Sequence, residues 1–410
     1  MVGGEVGTAT SHGYRDAMRS PIARRLWAAS LASTLGDHIG LGALLFLAAD
    51  RTGYAIGAAA VLAVGVVPAL ITGLVGGRWL DRFHRGRSLA GLQLAGGAVI
   101  CLPVLMDGVP VILVTAAALA AIRVATIAVR SGAMAEGVED ERRGPLVALL
   151  ASTDQGAQVV GFLTGGALYV TVGSDAALLL DAATFVIGAA VLVGLRLPPP
   201  EYRRTPAPLN AGLLDIWRHP VLRLLGALVV CSGVVASLPE VLAPNVAGPG
   251  DPLRPLVLAA APAGQVLAMT VMGRSTAIRR IGVQLAHLGA LGVALMIAAI
   301  APSTLAVAGA NMLVGAGTAW IVGPQLLFLT HAPRARMAQI TGTMVAGLAV
   351  ADGLGSLLLA GVADLASIGW AYASGGVVIL IAAAVGWRVR ATSEDLRVLD
   401  PSEDRTAPLG

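Results

Sequence analysis

A small set of ionisable side chains lies inside stretches of the chain that are otherwise apolar. They are Asp37, His38, Arg123, Asp154, Asp181, His287 and Asp352. A charged side chain at the centre of a bilayer costs about 2.5–3.5 kcal/mol on insertion scales, so each one needs a partner or a function. Burial disfavours the charged form of a carboxylate and a nearby cation favours it, so an acid close to an arginine can exchange a proton. The predicted chemistry is proton transfer, or the binding of a polar group, at membrane depth.

The composition indicates that those apolar stretches lie in a membrane. The 410 residues are 56% hydrophobic and only 13% charged, with a mean hydropathy of +0.79. Soluble domains carry about 25% charged residues, so a soluble enzyme is excluded. All 28 basic residues are arginines, and without lysine the chain can form neither a P-loop nor a Schiff base with pyridoxal phosphate. The two cysteines, Cys101 and Cys231, fall in apolar runs, which predicts neither a disulfide framework nor a thiolate metal site. No metal and no cofactor are expected.

Twelve apolar segments are long enough to cross a bilayer as helices, and we number them as spans 1 to 12. Their predicted ranges are 26–49, 55–76, 88–106, 110–129, 145–168, 176–195, 221–238, 254–273, 282–300, 303–328, 338–361 and 366–387. The polar first 20 residues show no cleavable signal peptide, so insertion is expected to begin with span 1. The predicted fold class is therefore an all-α integral membrane protein with twelve transmembrane helices.

The arginines predict the orientation of these spans. If both termini are cytoplasmic, nearly all arginines lie in the two tails or in connections on the cytoplasmic side, and only Arg51 and Arg254 lie in outer connections. The positive-inside rule predicts this asymmetry in a cell-membrane protein. It also argues against nucleic acid as the partner that explains the net charge of +4.

The chain divides into two parts of nearly equal length, each with six spans. The predicted organisation is a cytoplasmic N-tail (1–25), a first six-helix bundle (26–195), a cytoplasmic linker (196–220), a second six-helix bundle (221–388) and a cytoplasmic C-tail (389–410). Two pseudo-symmetric halves around a linker are typical of transporters whose substrate site lies between the halves near mid-membrane.

The connection between spans 2 and 3 carries a recognisable motif. It reads GGRWLDRFHRGR over residues 76–87 and resembles motif A of the major facilitator superfamily, G-x-L-A-D-R-x-G-R-R. The residues that match are Gly77, Asp81, Arg82 and Arg85, while His84 and Gly86 depart from the pattern. The resemblance implies the major facilitator fold, in which Asp81 would accept hydrogen bonds from Arg85 and from the start of span 11, closing the cytoplasmic side.

Two further segments resemble the exporter branch of this family, which includes drug, siderophore and secondary-metabolite efflux proteins. These are the opening of span 1, with STLGD at residues 33–37, and LDAATF at residues 180–185 in span 6. Span 5 reads GFLTGG and is similar to the antiporter motif C at Gly161, Gly165 and Gly166, with Phe162 where proline is usual. Glycines at this spacing also serve ordinary close packing of helices.

The resemblance also implies which residues would act. Spans 1, 4, 7 and 10 line the central cavity of the family, so Asp37 and Arg123 are the predicted proton or substrate site, or else a static ion pair. Asp154, Trp320 and Gln325 are further candidates, and Asp352 would face motif A as part of the gate. Two other acids are expected to have lesser roles: Asp181 a structural one near the outer interface, and Glu240 that of a charge in an outer loop.

The resulting prediction is a secondary active transporter that exports a small amphiphilic organic compound in exchange for protons. The expected partners are this substrate, protons and the lipid bilayer, with the protein acting as a monomer. Uptake of a nutrient by the same fold is the alternative, and a membrane-embedded enzyme or sensor is a third hypothesis. Enzymes of that kind display polar clusters on sizeable loops, whereas here no His/Asp/Glu cluster has metal-ligand spacing. The sequence therefore favours a transporter and leaves the substrate open.

Overall fold

A computed structural model of the chain describes residues 14–72, 84–195, 197, 211–272, 280–321, 323–324 and 337–392. Within these ranges the regular structure is helical. Among the described residues, eleven helices are long and apolar enough to cross a membrane, and a shorter apolar helix, Ala55–Ile71, lies at the position of span 2. Together they match the twelve predicted spans in number and order.

The first half of the chain forms spans 1 to 6. Their helices are Pro21–Thr52 (span 1), Ala55–Val64 with Val66–Ile71 (span 2), Arg85–Ile100 with Leu102–Leu105 (span 3), Val109–Gly137 (span 4), Asp140–Thr171 (span 5) and Ser174–Leu192 (span 6). A short helix, Tyr14–Ala17, precedes them.

The second half forms spans 7 to 12. Their helices are Pro220–Gly233 with Leu238–Val246 (span 7), Arg254–Met272 (span 8), Ile281–Ala299 (span 9), Thr304–Thr318 with the 3-10 turn Ala319–Ile321 (span 10), Met337–Leu365 (span 11) and Ile368–Thr392 (span 12). A short helix, Ala211–Arg218, precedes span 7.

Local sequence signals explain where span 1 begins and ends. The Ser20 hydroxyl accepts a hydrogen bond from the backbone N–H of Ala23, and Pro21 occupies the first helical position, where its missing N–H costs nothing. Gly53 ends the helix in the left-handed conformation, at φ 75°. The helix is therefore longer than the predicted range 26–49, because capping residues rather than the bilayer thickness decide its ends.

Span 7 differs most from its prediction. It is interrupted between Gly233 and Leu238 and continues to Val246, although the sequence predicts that it ends at residue 238. Pro239 stands at the start of the second helix, where proline is tolerated, so it restarts a helix rather than ending one. The extension places Glu240 inside the bundle instead of in an outer loop.

The helices pack as two sets that touch along two seams. Within the first half, span 1 packs against spans 5 and 6; within the second, span 9 packs against span 12 and span 8 against span 10. Between the halves, span 2 packs against span 11 and span 5 against span 8. We call the end of the molecule where span 1 begins the inner end and the opposite end the outer end, following the predicted orientation.

Candidate functional site

A polar cavity lies inside the first half and is lined by spans 1, 3, 4, 5 and 6. Its volume is about 60 Å³, which is room for several water molecules. We call it the polar cavity. Its polar lining residues are Ser30, Ser33, Thr34, Asp37, Gln93, Arg123, Thr126, Arg130 and Asp154.

The cavity brings together three of the predicted site residues. Asp37 on span 1, Arg123 on span 4 and Asp154 on span 5 all line it. Asp37 and Arg123 each lie near the middle of a long helix, as their positions in Pro21–Thr52 and Val109–Gly137 show. Within the described part of the chain no ion pair joins Asp37 directly to Arg123. The two charges share one cavity without contact, so a small ligand or water can lie between them.

The remaining cavity residues are incompletely hydrogen-bonded. Thr34 donates from its hydroxyl to Asp154 Oδ1 at 3.1 Å, and Arg130 Nη1 donates to the Ser30 hydroxyl at 2.7 Å. Among the described residues, Gln93 Oε1 and Arg130 Nε are buried without a hydrogen-bond partner. Buried polar groups are nearly always paired with protein or ordered water, and the cavity has room for that water. Gln93 and Arg130 are therefore parts of the site that the sequence prediction omitted.

Glu240 is a further residue that the prediction misjudged. It lies in the second helix of span 7, and Gln158 on span 5 donates an amide hydrogen bond to its Oε1 at 3.1 Å. Gln158 belongs to the first half and Glu240 to the second, so this bond crosses between the halves. The sequence shows an acidic residue, Glu240, next to an apolar run, but the adjacent Pro239 suggested that it lies in a loop. Glu240 is thus an acid within the bundle and not an outer-loop charge.

Among the described residues, Asp352 on span 11 is bonded to span 7 of its own half. Its two carboxylate oxygens accept hydrogen bonds from Ser237, one from the backbone N–H at 3.1 Å and one from the hydroxyl at 2.9 Å. It thereby caps the helix that resumes span 7, where backbone N–H groups lack helical partners. The neighbouring Gly353 faces Val66 and Ala63 of span 2. Asp352 therefore supports the broken span 7 from within the second half.

Most of the motif A loop lies outside the described residues. Gly77, Asp81 and Arg82 fall there, as does Gln325 in the second half. Arg85 is described, and its Nε donates to Glu136 Oε1 of span 4 at 2.7 Å, with both side chains largely buried. This ion pair fixes the start of span 3 to the inner end of span 4, inside the first half.

The three glycines of the motif C-like segment lie where span 5 touches its neighbours. A Cβ atom at Gly161 would lie 2.6 Å from the Cβ of His38, and one at Gly165 would lie 2.5 Å from the backbone oxygen of Ile39. A Cβ at Gly166 would instead lie 3.0 Å from Pro255 of span 8. The segment therefore permits close approach to span 1 on one side and to the second half on the other.

Three other residues singled out in the sequence lie buried against neighbouring helices. Trp320 is only 1% exposed and belongs to the hydrophobic core, away from the polar cavity. His38 bonds through Nδ1 to the Thr34 carbonyl oxygen at 2.8 Å and packs edge-on against Phe162. Asp181 is 1% exposed, so it does not reach the outer interface. Its carboxylate lies against the backbone of span 1, where a Cβ at Gly40 would be 2.0 Å from Asp181 Oδ2.

The arrangement of the helices agrees with the comparisons with known proteins. A family model described as Major Facilitator Superfamily matches residues 26–249, which is more than half of the chain. The chain belongs to the major facilitator superfamily. With its apolar helices, membership makes it a multi-pass membrane protein of a transporter family, located in the cell membrane.

Curated relatives extend this result. The chain is 27% identical to the "Multidrug efflux pump Tap" of Mycobacterium tuberculosis (strain ATCC 25618 / H37Rv), over 97% of this chain and 99% of that protein. Pumps of the same name from two strains of Mycobacterium bovis match equally well.

Solved structures show the same fold at low sequence identity. The crystal structure of a peptide transporter POT in complex with sulfate gives a TM-score of 0.72 at 14% identity, covering 95% of this chain and 98% of the other. That of the nucleoside transporter NupG gives 0.66 at 11% identity, covering 92% and 98%. These matches confirm the predicted fold class of twelve helices in two related halves.

Proposed function

We propose that this protein exports a small amphiphilic organic compound in exchange for protons, by alternating access between its two six-helix halves. The observation that carries the proposal is the polar cavity, where Asp37, Arg123 and Asp154 meet, each near the middle of its spanning helix. An ionisable cluster at that depth is costly and is typically retained for a functional reason. The full-length similarity to pumps named for multidrug efflux supports the outward direction.

The proposed mechanism uses the gap between Asp37 and Arg123. The nearby guanidinium favours the charged carboxylate and burial favours the protonated one, so the balance depends on what else occupies the cavity. A compound that displaces water or contacts Arg123 changes that balance and with it the proton on Asp37. Glu240, held by Gln158 across the halves, supplies an acid from the second half that a bound compound would also meet.

The substrate class follows from the surroundings of these polar groups. The cores of both halves consist mainly of aliphatic side chains, and aromatic residues are only 4% of the chain. A polar cavity enclosed by a mainly aliphatic helix bundle suits a molecule that has both polar and apolar parts. A stacking cage would need more aromatic rings, and the similarity to pumps named for multidrug efflux supports an amphiphilic compound over a sugar or a phosphate ester.

The proposal includes the orientation and organisation predicted from sequence. Both tails and the linker 196–220 would be cytoplasmic, with the halves at 26–195 and 221–388 moving as units. Asp81 and Arg82 would act with Arg85 as the inner gate, and the protein would function as a monomer.

Transport assays in membrane vesicles of opposite orientation test this function. Everted vesicles that contain the protein, given a gradient with the acid side inside, should accumulate amphiphilic dyes from a test panel, and dye addition should release protons. Vesicles without the protein provide the control. Accumulation only in right-side-out vesicles would instead establish uptake, and dye movement without proton release would contradict proton coupling.

A further inference from the structure

A second group of charged and aromatic residues lies at the outer end, away from the polar cavity. It consists of Phe46 and Asp50 on span 1, Tyr169 on span 5 and Arg254 at the start of span 8, and we call it the outer cluster. Arg254 is 1% exposed, although arginine is almost never fully buried unless it is paired. Its burial therefore requires an explanation.

Polar partners surround the Arg254 guanidinium. Its Nη1 and Nη2 donate to Asp50 Oδ2 and Oδ1 at 2.9 and 2.5 Å, which is a two-pronged ion pair. Its Nε donates to the carbonyl oxygen of Ala247 at 2.8 Å, and Nη2 also donates to that of Pro244 at 3.0 Å. These carbonyls belong to the end of span 7, where a helix leaves acceptors unpaired and its dipole attracts a cation.

Two aromatic rings complete the enclosure. The guanidinium carbon lies 4.7 Å from the centre of the Phe46 ring and 5.9 Å from that of Tyr169, both within reach of a cation–π interaction. The Tyr169 hydroxyl donates to Asp50 Oδ2 at 2.8 Å. Asp50 is therefore paired at both oxygens. Its side chain is 23% exposed, so water reaches the aspartate side of the pair while the guanidinium is enclosed.

The outer cluster joins the two halves of the molecule. Phe46, Asp50 and Tyr169 belong to the first half, whereas Arg254 and the carbonyls that it binds belong to the second. A second contact closes the same end: Asp364 of span 11 accepts hydrogen bonds from the backbone N–H groups of Ala55 and Ile56, at the start of span 2, at 2.7 and 2.9 Å. The outer end is thus closed by polar contacts along both seams.

We propose that the Asp50–Arg254 pair is the outer gate of the transport cycle. Because it bridges the halves, it must separate whenever the central site opens outwards, and its strength sets how often that happens. Because the Arg254 guanidinium is enclosed, loss of the Asp50 carboxylate would leave a buried charge without its counter-ion, which is costly. This role rests on the proposed alternating-access function, but it requires no particular substrate or coupling ion.

The chain offers a matched control next to the gate. Arg51 adjoins Asp50 in sequence and pairs with Asp107 at 2.8 Å, but both side chains are largely exposed and both belong to the first half. Exposed pairs of this kind contribute little. Replacing Arg51 removes an arginine from the same end of the molecule without touching the contact between the halves.

Chemical labelling from outside the cell tests the gate. Leu258, one turn further into span 8 than Arg254, is fully buried and faces Gly42 of span 1. In a background with Cys101→Ala and Cys231→Ala, Leu258→Cys is a reporter that a membrane-impermeant thiol reagent reaches only when the outer end opens. Asp107→Cys, at an exposed position, should react in every background and confirms that this end faces outwards.

Arg254→Gln and Asp50→Asn should each increase the labelling rate of Leu258→Cys about tenfold or more, because they release the closed state. Arg51→Gln should leave the rate unchanged. Equal labelling rates in the wild-type background and in all three variants, with the variants present in the membrane at normal levels, would overturn the proposed gate.

If neither charge variant reaches the membrane, Tyr169→Phe provides a milder test. It keeps both charges and should increase the labelling rate of Leu258→Cys by about threefold. An unchanged labelling rate in Tyr169→Phe would equally overturn the proposed gate. The labelling rate can be measured without any transport, so the gate can be tested even if the proposed export function is wrong.

Discussion

Span 1 carries two aspartates with opposite surroundings. Asp37 and Asp50 lie on one helix, about 20 Å apart along its axis at 1.5 Å per residue. Asp50 is paired at both oxygens with Arg254 and Tyr169. Asp37 lines a small polar cavity and has no hydrogen bond to another described residue, although Arg123 shares the cavity. Both carboxylate oxygens of Asp50 are thus bonded to protein groups, whereas the carboxylate of Asp37 is free to bind a proton, water or a ligand.

This difference indicates how the same helix can serve two purposes. A carboxylate with all its partners in place stabilises one arrangement of the two halves, and exchange of its partners requires that the halves separate. A carboxylate in an incompletely satisfied cavity can instead change its proton or its ligand while the backbone stays in place. We expect Asp37 to affect coupling and Asp50 to affect the balance between conformations.

The largest expected effect comes from the same substitution at both aspartates. Asp37→Asn should reduce proton-driven transport by about 100-fold or more, since the group proposed to carry the proton is lost. Substrate exchange without a gradient should persist, because the cavity keeps its shape. Asp50→Asn should alter the transport rate but leave it dependent on the gradient. Dye transport in everted vesicles, with and without a gradient, measures both.

The exposed Asp107→Asn serves as the control for this pair of variants and should transport normally. Retained coupling in Asp37→Asn would remove that residue from the mechanism. Loss of gradient dependence in Asp50→Asn would erase the distinction between the two aspartates.

A second prediction contrasts the two arginines. Arg254→Gln should lower the free energy of unfolding by about 1–3 kcal/mol, because the carbonyl oxygens of Ala247 and Pro244 lose a buried donor, while the partly exposed Asp50 can bind water instead. Arg123 is exposed in the structure, so Arg123→Gln should change stability by less than about 0.5 kcal/mol while impairing transport. Unfolding of the purified proteins in detergent measures both changes in stability. Equal losses of stability in the two variants would mean that Arg123 is a structural residue as well.

An effect of similar size is expected from the packing between spans 1 and 5. Gly165→Ala should destabilise the protein by about 1–3 kcal/mol, since the added Cβ meets the backbone of Ile39 and cannot be relieved by a side-chain rotation. Gly156→Ala on the same span is the control, because nothing lies within 4 Å of its Cβ position. Thermal unfolding of both variants measures the difference, and similar midpoints would refute the close-approach argument.

Much of the fold follows from the sequence because the bilayer interior offers no hydrogen-bonding groups to the backbone. Runs of aliphatic residues must be helical where no water can satisfy the backbone, so the number and order of spans could be predicted. Asp37, Arg123 and Asp154 could also be found, because each is an isolated charge in an apolar run. Their meeting in one cavity did not follow from hydropathy, and only the family resemblance suggested that spans 1 and 4 share a cavity.

Only the structure shows which charged residues have hydrogen-bond or ion-pair partners in the protein. Pro239 suggested that Glu240 lies outside the membrane, but the resumed helix of span 7 carries it into the bundle beside Gln158. Nothing near Arg254 in the sequence predicts its pairing with Asp50, which is 204 positions away. The sequence by itself determined which segments enter the membrane, because insertion depends on local hydrophobicity. Which charges meet there depends on how the helices pack, since such pairs form between side chains far apart along the chain.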